Sequence, residues 1–153
     1  MYNRGVDGYD FEKLAREIVA GRLAGLTDKA PEASAEIAKR ILIAALQSTR
    51  EKQDPRESVT AICRGVLGGL LMIDADLARA APLILKELGH VSHEVPLAPE
   101  DLMTWAMDGF AQVAASAGPD AAHRMETAIE DAIMGAGAVF GKAYAAARAG
   151  SGA

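Results

Sequence analysis

From Phe11 to Tyr144, apolar residues recur three and four positions apart in almost every stretch of the chain, and glycines stand four apart inside several of those stretches. That spacing gives a helix one buried face, and it excludes the strict alternation of a half-buried strand. The chain is thereby restricted to helices packed on helices, with helix content expected at about 70% or more against a base rate near one third. Composition agrees: half of the residues are hydrophobic, only 5% are aromatic, and alanine makes up about a fifth. At 153 residues one core of ordinary size is expected, not two.

The helices can be placed by their stripes and their punctuation. Asp10 suits an N-cap for a helix carrying Phe11, Leu14, Ala15, Ile18 and Val19, which closes at "GLTDKAP". A second helix starts near Pro31 with Ile37, Ile41, Ala44, Ala45 and Ser48 on one face and ends in "REKQD". Pro55 fits the first turn of a third, with Val59, Ile62, Cys63, Val66, Leu70 and Ile73 inward. After "DADLARA", Pro82 is expected to open or kink a helix running to about Val95. Pro96 and Pro99 bracket a loop, Leu102, Ala106, Phe110, Val113 and Ala117 form the next stripe, and "AGPD" starts a final helix with Met125, Ile129, Ile133, Ala136, Phe140 and Tyr144. The expectation is a single-domain all-α bundle of five or six closely packed Ala/Gly-rich helices over residues 10–148, with a flexible tail at 1–9 and a frayed one at 149–153.

A faint internal repeat accompanies the pattern. "TAICRGVLGGLL" from Thr60 and "TAIEDAIMGAGAV" from Thr127 share Thr-Ala-Ile and a glycine eight residues after the threonine; "LAREIVAGRL" from Leu14 and "IAKRILIAAL" from Ile37 match more loosely. Gly21 and Gly25, Gly65 and Gly69, and Gly137 and Gly141 are each four apart. An interior glycine costs a helix about 1 kcal/mol against alanine, so the recurrence points to backbones that approach closely. Such crossings lie within the chain or between subunits, and Gly137 and Gly141 of the last helix are the candidate oligomer contact, with a dimer as the default assembly.

The only cluster with evident site chemistry is "LKELGHVSHEV". On a helical wheel Ile84, Leu85, Leu88, Val91 and Val95 share one side, while Glu87, His90, His93 and Glu94 gather on the other. Histidines three apart with neighbouring carboxylates make a candidate metal box, yet cationic histidines near a helix C-terminus are favoured by the helix dipole with no ligand at all. His123, Glu126 and Glu130 repeat the chemistry at turn spacing on the last helix. "HVSHEVPLAPEDL", followed by two helices, resembles the proximal-histidine region of a globin; the resemblance implies a haem with His90 as iron ligand. It covers the second half only. The first half departs from it, with no phenylalanine between Phe11 and Phe110, and Lys86 occupies the turn before His90. Met103, Met107, Phe110, Met125 and Met134, beside Trp105, make a soft apolar half that suits either a core or a lipid-like ligand.

Charge and targeting signals narrow the rest. With 21 acidic and 16 basic residues the chain cannot neutralise a run of phosphates, so no nucleic-acid partner is expected. "MYNRGVDGYDFEK" lacks the apolar core of a secretory signal and no stretch reaches the length of a membrane span, which points to the cytoplasm. Cys63, alone in "VTAICRGVL", reads as a buried inert thiol. No catalytic group, cofactor or phosphate loop is expected, and the function anticipated is self-association or binding to a protein partner. A helical metal- or haem-binding protein is the alternative, followed by an apolar-ligand sensor.

Overall fold

The computed structural model describes residues 10–48 and 54–151. Of these, 88% lie in helices, and no strand occurs among them. The expected tail at 1–9 and most of the charged segment "REKQD" lie outside the described residues. The helices are α1 (Phe11–Leu23), α2 (Ala30–Ser48), α3 (Pro55–Met72), α4 (Leu77–Glu94), α5 (Pro99–Ala117), α6 (Pro119–Ala132) and α7 (Ala136–Ser151), with a 3-10 turn at Thr27–Lys29. Among the described residues, seven α-helices thus replace the expected five or six.

One local cause accounts for the difference. The expected final helix is broken after Ala132, where Gly135 takes φ +88°, and the chain restarts as α7. Conversely, Asp76 caps α4 by accepting from the Arg79 amide, so that helix starts before Pro82 and runs through it. Pro82 removes one amide in the second turn and is tolerated there. Helix α7 also continues past residue 148, where fraying was expected, to Ser151.

Each helix packs most extensively on a helix two positions away in the chain. α1, α3, α5 and α7 form one row, and α2, α4 and α6 form the other. Contacts inside each row advance together, so neighbours in a row run parallel. Glu32 pairs with Arg79, Lys39 lies 3.8 Å from Glu87, and the Gln47 side chain donates to the Glu94 carbonyl at 3.1 Å. In the first row, the Thr60 hydroxyl donates to the Trp105 carbonyl at 3.0 Å and Arg64 reaches Gln112. The architecture is a stack of helical hairpins in two layers, built in the manner of an α-solenoid.

The stack has its own period. α1, α3 and α5 start at Phe11, Pro55 and Pro99, 44 residues apart, and Gly21, Gly65 and Gly109 keep the same interval. The similarities read from Thr60 and Thr127, or from Leu14 and Ile37, do not follow this period and match helices of opposite rows: Gly68 sits in mid-helix, whereas its counterpart Gly135 is the turn between α6 and α7.

Close crossings hold the first row together. A Cβ on Gly69 would stand 2.8 Å from the Arg16 carbonyl oxygen and 2.9 Å from the Val19 Cβ; on Gly65 it would collide with the Glu12 carbonyl and reach 3.0 Å from the Ala15 Cβ. On Gly109 it would stand 2.6 Å from the Thr60 carbonyl oxygen and 2.9 Å from the Arg64 amide. Glycine is what lets α3 seat on α1, and α5 on α3. An ion pair crosses the first junction, with Arg64 2.8 Å from Glu12.

The core runs between the rows. The stripes of α3 and α5 are inward as expected, apart from the half-buried Ile73 and Ala117. Those of α1 and α2 are rotated: Ala15, Val19 and Leu23 are buried on α1, and Ala35, Ala38, Leu42 and Ala45 on α2, leaving Leu14, Ile18, Ile37 and Ile41 half-buried. Among the described residues α1 and α2 stand at one end of their rows, so each is covered by a row neighbour on one side only.

Candidate functional site

The histidine stretch forms the last turns of α4. Ile84, Leu85, Leu88, Val91 and Val95 are buried and His90, His93 and Glu94 exposed, as the wheel requires. His90 Nδ1 lies 2.9 Å from Glu87 Oε1, and Glu87 also faces Lys39 on α2. Glu87 is thus shared between a histidine of its own helix and a lysine of the neighbouring one. Among the described residues, no three His, Cys, Asp or Glu side chains converge closely enough to hold a metal ion, so the box of Glu87, His90, His93 and Glu94 is not assembled. The globin resemblance requires His90 in an enclosed apolar pocket, whereas its side chain is 66% exposed.

His123, Glu126 and Glu130 are not brought to one point either. Glu130 instead caps the next helix: its carboxylate accepts from the Gly135 amide at 3.0 Å and the Gly137 amide at 2.9 Å, which holds its pKa below the usual carboxylate value. This cap was absent from the sequence reading because it needs the break after Ala132. It also explains Gly137, which is buried against α6, where a Cβ would lie 2.9 Å from the Glu130 Cβ and 3.2 Å from the Glu126 carbonyl oxygen. A Cβ on Gly141 would meet the Glu126 carboxylate at 3.1 Å. The two glycines proposed as an oligomer contact therefore face α6 of their own chain.

The methionine-rich half is largely core. Met107, Phe110 and Met125 are fully buried, Met103 and Trp105 half-buried, and Met134 is 92% exposed in the α6–α7 turn. The nearby hollow, about 480 Å³, is an open groove between α5 and α7 lined by Gln112, Ala115, Ser116, Ala146, Ala147 and Gly150, with no methionine in its wall.

Cys63 lies under α5 at zero exposure, and burial pushes its thiol up to about 12. Only the thiolate attacks electrophiles, so a maleimide or disulfide reagent at pH 8 is expected to leave Cys63 unmodified in the native protein and to label it stoichiometrically in denaturant. Rapid native labelling, followed by mass spectrometry, would contradict this.

The remaining surface of note is the outer side of α7. Phe140 is buried and stacks on Tyr144 at 6.2 Å, with Arg148 over the Tyr144 ring at 5.8 Å. On the opposite side Ala138, Val139, Lys142, Ala145 and Ala149 are exposed. No described helix is long and apolar enough to cross a membrane. Comparison with known proteins gives no match, whether against family models, curated proteins or solved structures.

Proposed function

We propose that the protein is a non-catalytic, cytoplasmic helical stack that works by association, with copies of itself in the first place. The observation that carries this reading is α7. Between Ala136 and Ser151 its only charged side chains are Lys142 and Arg148, and a helix apolar almost all round belongs in an interior. Half of its circumference is uncovered, with Val139 42% exposed. Its alanines also let another backbone come near.

Ala145→Glu tests the reading, because it places a charge at the centre of that face without touching the core. The wild type is expected to elute above the monomer mass in size-exclusion chromatography with light scattering. The variant should elute as a monomer with an unchanged melting temperature. Identical monomeric profiles for both proteins would contradict the proposal.

A further inference from the structure

Gly21 is a glycine inside α1 that no contact within the described chain explains. A Cβ on Gly21, or on Gly25 in the turn that follows α1, would meet no atom within 4 Å; both are exposed, and Gly21 lies on the side of α1 away from the Ala15 and Val19 that meet α3. Alanine at Gly21 would stabilise the helix, so glycine there serves no local purpose. Their counterparts 44 residues on are Gly65 and Gly69, and those two receive α1. The outer side of α1 thus repeats, uncovered, the surface by which α3 takes its row neighbour. The outer side of α7, at the other end of the same row, is the uncovered face that would supply one.

We infer that copies of this chain stack head to tail, with α7 of one copy laid on Gly21 and Gly25 of the next, so that the row α1, α3, α5, α7 continues from molecule to molecule. This rests on the association reading above and names its geometry. The register is set by the crossing already present. Ala15 and Val19, four apart, sit on Gly65 and Gly69; Ala145 fits Gly21 in the same way, and Ala149, four further on, falls at Gly25 in the turn beyond α1. Lys142 then stands where Glu12 stands, three residues before the first small contact. Glu12 reaches Arg64, next to Gly65; Lys142 reaches the neighbourhood of Ala20, with Glu17 one turn below. Glu17 and Lys142 are exposed and neither has an ion partner among the described residues. The junction repeats the Glu12–Arg64 bridge with its polarity reversed. A contact between two different faces does not close on itself as a two-fold dimer does, so it builds open chains or a ring.

Mixing two end-blocked variants separates this geometry from every other association. Gly21→Leu obstructs the α1 end and Ala145→Glu the α7 end; both positions are exposed, and circular dichroism checks that both proteins fold. In sedimentation velocity the wild type is expected to grow beyond dimers with concentration. Each variant alone should be monomeric, with association weakened about tenfold or more. Their equimolar mixture should stop at a one-to-one complex, because each copy retains the end that the other lacks. Undiminished association of Gly21→Leu, with Ala145→Glu monomeric, overturns the head-to-tail geometry while leaving association through α7 standing. A monomeric wild type overturns both.

Discussion

Gly65→Ala is expected to destabilise the protein by about 2–3 kcal/mol in urea denaturation, the usual penalty for forcing atoms into a packed crossing. The added Cβ collides with the Glu12 carbonyl and the Ala15 Cβ, and neither is the movable end of a flexible side chain. The roughly 1 kcal/mol that alanine returns in helix propensity is overcome because α1 must lift from α3. Lifting α1 also breaks the Glu12–Arg64 pair and opens the core at Val19. Gly109→Ala should behave alike, since its Cβ would press on the Thr60 carbonyl and the Arg64 amide. Gly21→Ala, at the same position one period earlier, should instead stabilise the monomer by up to about 1 kcal/mol. Opposite signs at equivalent positions follow only if the row is built as described. Wild-type stability in Gly65→Ala would mean that α1 does not seat there.

Phe140→Ala is expected to cost about 3–5 kcal/mol, the range for removing a buried aromatic side chain. The effect should fall first on α7. Phe140 is its only large side chain at zero exposure, and what remains toward α5 is Ala136, Ala143, Ala147 and the half-buried Tyr144 that stacks on Phe140. Alanines alone bury too little area to hold a sixteen-residue helix in place. Hydrogen exchange is therefore expected to show α7 amides losing protection before those of α3. A loss under about 1 kcal/mol, or uniform exchange, would contradict the anchoring role of Phe140.

Much of this was legible in the chain. The apolar stripes of α3 and α5, the cap at Asp10, Pro55 in the first turn of α3, the buried Cys63 and the outward histidines of α4 all follow from local spacing. Periodicity reports which side of a helix is apolar; it does not report how many neighbours will cover that side. Ile37 and Ile41 therefore read as core although Ala38 and Leu42 hold that place at the open end of the stack. Four-residue glycine spacing marked close approach at Gly65 and Gly69 and at Gly137 and Gly141 but not at Gly21 and Gly25, and it could not say which group approaches. Gly65 meets α1, Gly137 meets Glu130 of α6, and Gly21 meets nothing within the chain. The 44-residue interval that sorts them is present in the sequence, but it acquires meaning only when parallel rows give equivalent positions equivalent neighbours. The carboxylate cap by Glu130 was hidden for a different reason: it depends on the helix break at Gly135, where an unbroken apolar stripe argued for continuity.

The central claim is that a row of helices with an uncovered face at each end works by association. Sedimentation velocity of the untagged wild type, from low to high micromolar concentration, tests it most directly. The account predicts a weight-average mass that rises steadily with concentration and exceeds that of a dimer at the upper end. A single monomeric species throughout that range would contradict it.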